Sequence, residues 1–231
     1  MFDFSIIAAE WPLYLQGLWN TVWLVAASLV FGILIAIPMG ILRGSRNPLI
    51  RVPVWAYIYF FRGTPMLVQL FIVYYGAAQW DALRHTWAWT WLQEAWFCAL
   101  LTFSLNTGAY TAEIIRGSIQ SIPRGEIEAA EAYGMSPWQV MRCIVLPGAL
   151  RRALPAYSNE VIFMLHGSAI AGIITIIDLT GAARIVNSRY YSPLEAFLTA
   201  GLCYLGLSLM LVWAFRKLEH RWHAHLRPRS L

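Results

Sequence analysis

Five long apolar stretches alternate with short polar connections along the 231-residue chain. Residues 11–42 carry no charge, 52–80 only Arg62, 95–112 none, 161–177 only His166, and 196–215 none. A helix needs about 20 apolar residues to cross the hydrocarbon core of a bilayer, and lipid leaves backbone groups no partner outside a helix. The pattern therefore predicts an all-α integral membrane protein with spans at about 18–42, 53–78, 94–115, 154–177 and 195–216. The runs are continuous rather than alternating, which excludes a membrane β-barrel. Between the third and fourth spans, residues 117–150 form the longest polar interruption.

Composition narrows the class further. Hydrophobic residues make up 59% of the chain and charged residues 13%, half the share a soluble domain uses to cover its surface. Mean hydropathy is +0.55. The net charge of +5 is no nucleic-acid signal, because the basic residues sit in short loops beside the apolar runs. Thirteen Arg and Lys residues follow spans one, three and five, against three (Arg84, Arg184 and Arg189) in the opposite loops. The positive-inside rule then puts the N-terminus outside and the C-terminus in the cytoplasm. The first ten residues hold Asp3 and Glu10 and no basic residue, so no secretory leader is read there. Trp87, Trp89 and Trp91 suit an interfacial belt. Cys98, Cys143 and Cys203 are odd in number and lack a CxxC, which reads as small hydrophobes rather than a disulfide framework. Gly40 with Gly44, and Gly201 with Gly206, are small-residue pairs of the helix-contact kind.

The 117–150 segment has its own design. Pro123 can start a helix, and Glu126, Glu128 and Glu131 suit a first turn facing the helix dipole. Gly134 ends or bends that helix, and Ser136-Pro137 can start another. The result is a compact amphipathic projection. It reads either as a helix with a glycine cap or as a dock for a partner protein.

Here the sequence becomes recognisable. Glu128-Ala129-Ala130, then Gly134, then Ile144-Val145-Leu146-Pro147 resembles the EAA loop of bacterial ABC importer permeases. Phe61-Arg62-Gly63-Thr64-Pro65 with Val68-Gln69-Leu70, the run from Leu105 to Ile114, and the run from Ala153 to Glu160 resemble the polar amino acid permease family within that class. The chain is similar to the M-type subunit of histidine/lysine/arginine/ornithine and opine importers over about residues 15–220. Leu165-His166-Gly167-Ser168-Ala169 stands where many carriers of neutral or acidic amino acids have Lys-Asp-Ser-Ser, in keeping with the basic and opine branch.

The resemblance implies a type I ABC importer permease fold in which 117–150 is a coupling helix seated on a cytoplasmic ATPase. Glu128 and Arg142 would give rim charges, Ala129, Ala130 and Gly134 close backbone approach, and Tyr133 or Met135 an apolar knob. It implies two ATPase subunits, which use the ATP and Mg, while this chain binds no cofactor. It implies a second permease subunit, of Q type, and a periplasmic binding protein delivering substrate near residues 81–94 and 178–193. Localisation would be the bacterial inner membrane. The only lysine is Lys217, and no phosphate-binding loop occurs, so ATP chemistry belongs elsewhere.

Ionisable groups at membrane depth cost about 2.5–3.5 kcal/mol or more, which makes them functional suspects. Glu160 with Asn159 is the leading pair for a cationic substrate, with His166 or Ser168 farther along the helix. The competing reading pairs Glu160 with Arg151 or Arg152. Arg62 either lines the path or snorkels to the interface. Glu113 lines the path or pairs with Arg116 or Arg62. His220, His223 and His225 read as a basic tail on an anionic leaflet rather than a metal site. An autonomous secondary transporter or channel is the alternative function, but no internal repeat is visible to support it. An integral-membrane enzyme lacks any HExxH or GxSxG.

Overall fold

The computed structural model describes residues 5–222, and among them every regular element is helical. Helix α1 is Ser5–Ala9, α2 is Trp11–Leu42, α3 is Pro48–Gly63, and α4 is Met66–Phe71, which runs on through a π-helical turn, Ile72–Gly76. Short helices α5 (Asp81–Arg84) and α6 (Trp89–Leu92) precede α7, Ala95–Gln120. Then come α8 (Arg124–Ala132), α9 (Pro137–Val140), a second π-helical turn (Met141–Val145) and α10 (Leu146–Gly167). A 3₁₀ segment (Ser168–Ile174), α11 (Leu179–Tyr190) and α12 (Pro193–Trp222) complete the chain order.

Helices α2 and α12 are, among the described residues, long and apolar enough to cross a membrane on their own. Helix α7, at 26 residues or about 39 Å, is less apolar for a physical reason. It sits at the centre, with Cys98, Ala99, Phe103, Ala109 and Ala112 buried, and protein rather than lipid surrounds it. Its buried hydroxyls need partners, and two turn back onto their own helix. Thr102 donates to the Cys98 carbonyl at 2.8 Å and Ser104 to that of Leu100 at 2.6 Å.

Close approach fixes α2 on α7. Ser28, Gly32, Ala36 and Gly40 recur every fourth residue, so they share one face, and all four are buried. A Cβ at Gly32 would lie 2.4 Å from Thr107 Cγ2, and one at Gly40 would lie 2.9 Å from the Ala112 carbonyl oxygen. Gly40→Val is therefore expected to destabilise by about 1–3 kcal/mol. Thermal unfolding in detergent measures it, with Gly201→Val as the control because a Cβ there meets nothing within 4 Å among the described residues. Thus Gly40 is a helix contact within the chain, whereas Gly201 and Gly206 face no neighbour among the described residues.

The structure redraws two predicted spans. Residues 53–78 are not one helix: α3 and α4 meet at 106°, around Thr64 and Pro65 in extended conformation. The helix that carries the fourth span does not begin at 154. Helical backbone continues from Pro137 to Ile174 and then bends 46° into α11. Pro147 should break such a helix by clashing with the carbonyl four residues back. That carbonyl belongs to Cys143, inside the π-helical turn, where the widened backbone makes room. Helix α11 occupies residues read from sequence as an outer loop. Asp178 caps it, its Oδ1 accepting from the Gly181 amide at 2.7 Å, and Leu179, Ala182, Ala183 and Val186 bury one face. Among the cysteines Cys98 is buried but Cys143 is exposed. Of the tail histidines, His220 falls in α12, while His223 and His225 lie outside the described residues.

Candidate functional site

The break between α3 and α4 frees carbonyl groups that no helix satisfies. At membrane depth each would cost several kcal/mol unless paired. Two amides pair them. Gln69 Nε2 donates to the carbonyl oxygens of Phe61 (2.9 Å) and Thr64 (3.0 Å) and to Thr64 Oγ1 (2.7 Å). Asn106 Nδ2, from α7, reaches the Phe61 carbonyl at 3.2 Å and Gln69 Oε1 at 3.0 Å. Tyr110, one turn along, donates to the Arg62 carbonyl at 3.3 Å, and the Arg62 guanidinium sits 5.2 Å from the centre of its ring. The break is thus clasped from the central helix. Gln69→Leu leaves the Thr64 carbonyl without its donor and the Phe61 carbonyl with Asn106 alone, and is expected to cost about 1–3 kcal/mol. Chemical denaturation in detergent measures the loss, and Gln69→Glu should recover only part of it, because its carboxyl oxygen can still accept from Asn106 but an ionised carboxylate cannot donate.

Against the clasp lies a cleft of about 500 Å³. Ala156, Asn159, Glu160 and Phe163 of α10 line one wall; Asn106 and Tyr110 of α7 and Thr64 to Met66 line the others. The α10 residues stand at i, i+3, i+4 and i+7, one face of a helix. Glu160 is 8% exposed, and its Oε1 accepts from Thr107 Oγ1 at 3.0 Å. No guanidinium pairs with it among the described residues: Arg152 instead donates to the Ser121 carbonyl at 2.9 Å and lies 3.7 Å from Glu126. Arg62 acts on Glu160 through its charge but forms no ion pair with it. The cleft thus joins a buried carboxylate, two amide side chains and a phenol with apolar walls. That set suits a small polar ligand bearing a cation.

Other candidates fall elsewhere. Glu113 forms an ion pair with Arg116 and does not line the cleft. His166 is 3.0 Å from Ser208 Oγ on α12; six residues rotate it about 240° from Glu160, onto another face. Ser168 lies past the end of α10, and its hydroxyl donates to the Leu165 carbonyl at 2.7 Å. Sequence reasoning missed Asn106, Tyr110, Thr107 and Gln69. The signal was available as amides and hydroxyls inside an apolar stretch.

The second site is the α8–α9 projection. Ile122, Ala130, Val140 and Val145 form its own small core, with Ile127 and Met135 packed against it. Ala130 is buried in that core, and Met135, partly buried, packs against it. Gly134 has φ of +77° and nothing near its Cβ position. Its backbone is left-handed just after α8, a conformation glycine adopts without strain. Ser136 and Gln139 form a capping box at the start of α9. Outside stand Glu128, Ala129 and Arg142, with Tyr133 91% exposed and Trp138 70% exposed. Trp138 was not among the sequence candidates, although an aromatic beside a cap in a polar loop marks an interaction surface.

Comparison with known proteins agrees with this architecture. Residues 28–224 match the family described as binding-protein-dependent transport system inner membrane component. A histidine/lysine/arginine/ornithine transport system permease protein of Salmonella typhimurium is 46% identical over 215 residues, covering 91% of this chain and 90% of its own length. A nopaline transport system permease protein of Agrobacterium fabrum is 41% identical over 228 residues, covering 98% and 95%. A crystal structure of an amino acid ABC transporter with histidines superposes with a TM-score of 0.85 at 32% identity, over 96% of this chain and 99% of that one. The fold is that of the type I ABC importer permeases, and the chain belongs to the binding-protein-dependent transport system inner membrane component family.

Proposed function

We propose that this chain is the M-type permease subunit of an ATP-driven importer of cationic amino acids (histidine, lysine, arginine, ornithine) or related opines. The observation that carries this reading is the Glu160 cleft, a buried carboxylate with no cationic partner in ion-pair contact, flanked by Asn106, Asn159 and Tyr110. A guanidinium, ammonium or imidazolium group fits that carboxylate, and the amides fit the α-amino and α-carboxyl groups. The two relatives named above carry such cations in their names. Phe163 is 70% exposed at the rim, so the cleft is open on that side. A second permease subunit, of Q type, closes it in this reading.

The projection of α8 and α9 docks on one of two cytoplasmic ATPase subunits, which bind the ATP and Mg; this chain binds neither. Tyr133 and Trp138 supply apolar anchors, and Glu128 and Arg142 the rim charges. Closure of the ATPase pair then moves the projection, and the continuous backbone from Pro137 to Ile174 carries that movement to Glu160. The projection lies in the cytoplasm with the C-terminus, and the N-terminus is periplasmic, as the arginine bias demands. A periplasmic binding protein delivers substrate at the opposite end, near α5, α6 and α11.

Reconstitution into liposomes tests this. With its second permease, ATPase and binding protein the chain is expected to support ATP-dependent uptake of labelled arginine or histidine. By itself it is expected to move none. Solute movement by the chain alone, without nucleotide, would establish the autonomous transporter instead.

A further inference from the structure

A second cleft, away from Glu160, combines charge with an apolar slot. Leu146, Pro147, Leu150 and Arg151 at the start of α10 face Arg221 and Trp222 at the end of α12, around about 600 Å³. Two guanidinium groups and no carboxylate line it. Among the described residues neither Arg151 nor Arg221 takes part in an ion pair, although Arg152, next in sequence, does. Such a lining calls for an anion.

Leu150 and Trp222 also line a narrower neighbouring cleft of about 200 Å³, which runs between α2, α7 and α10. Its remaining walls are Ile33, Ile114, Ile115, Ala153, Leu154 and Tyr157, with one further polar group, Thr111. Thr111 is 3% exposed, and its hydroxyl has no hydrogen-bond partner, unlike Thr102 and Ser104 on the same helix. A buried hydroxyl left unpaired is costly, by about 1–3 kcal/mol.

We infer that these two clefts form one binding site for an anionic glycerophospholipid. The phosphodiester sits between Arg151 and Arg221, and an acyl chain follows Leu150 and Trp222 into the slot beside Thr111. The position suits it, since α12 there passes from its apolar run into Arg216, Lys217 and Arg221, the zone where headgroups lie. A free phosphate would use the arginines and leave the slot empty.

The full chain, purified in neutral detergent and stripped of lipid, is titrated with phosphatidylglycerol and, separately, phosphatidylcholine, and bound lipid is counted by native mass spectrometry. Phosphatidylglycerol is expected to be retained about tenfold more strongly. Arg151→Gln with Arg221→Gln, both exposed positions, should erase that preference without altering the melting temperature. Arg46→Gln with Arg51→Gln, charges outside the cleft, should leave it intact. Deacylated glycerophosphoglycerol and inorganic phosphate at matched concentration should fail to displace the lipid. Equal retention of the two lipids, an unchanged preference in the cleft variant, or full displacement by phosphate would each overturn the assignment.

Discussion

Glu160→Gln is expected to raise the substrate concentration needed for half-maximal ATP-dependent uptake of arginine by about 30- to 150-fold, a loss of about 2–3 kcal/mol. The substitution keeps the shape of the side chain. Its amide oxygen can still accept from Thr107, which now bonds Glu160 at 3.0 Å, so the α7–α10 contact survives. What disappears is the negative charge, which has no ion-paired cation among the described residues and is only 8% exposed. Thr107→Val supplies the comparison. It leaves the charge but removes the donor that orients it, and a several-fold loss is expected. Uptake by Glu160→Gln with unchanged kinetics would reduce Glu160 to a packing partner of Thr107. Co-purification with the second permease should be the same for both variants, which separates binding from assembly.

The apolar runs made the long helices legible, because the best apolar windows of α2 and α12 are only 33% and 17% buried within the chain, and a lipid surrounding selects continuous apolarity. The same criterion hid the site. Residues 52–80 carry a single charge, so they read as one span, yet the chain turns through 106° inside them. Thr64-Pro65 was a local sign of the turn, since a residue before proline avoids helical backbone. The stabilising partners, Gln69 and Asn106, could be named only once α4 and α7 were seen to converge on Phe61. Helix α11 went unread for a related reason. Asp178 is a capping residue before an amphipathic dozen, but amphipathic helices fall below any threshold set for spans.

Residue roles were less legible than residue identities. Gly134 stood out in the sequence, but a glycine reads the same whether it admits a neighbour or adopts positive φ. The structure shows the positive φ. Likewise the alanines of Glu128-Ala129-Ala130 look alike, yet one lies exposed and the other buried beneath Ile127 and Val140. Intramembrane charge singled out Glu160 as the leading candidate, and Glu113 forms its ion pair with Arg116, the local partner that helical spacing offered.

Gly134→Asp is expected to leave the protein inserted and assembled with its second permease while lowering ATP-dependent uptake more than about tenfold, since losing an anchor commonly costs 2 kcal/mol or more. The backbone at this position has φ of +77°, where a side chain costs about 1–2 kcal/mol, and aspartate also adds negative charge against the carbonyl end of α8 beside Glu131. The turn relaxes by displacing its neighbours, Tyr133 and Met135. Met135 is packed on the small core and resists, so the exposed Tyr133 moves most and the docking face loses its anchor. Gly134→Asn separates the two causes, because asparagine tolerates positive φ and carries no charge. It should retain most of the transport. Tyr133→Ala should reproduce the uncoupling without touching the turn, read as loss of ATPase co-purification at unchanged permease assembly. Normal uptake by both Gly134→Asp and Tyr133→Ala would mean that force enters the membrane helices through some other surface.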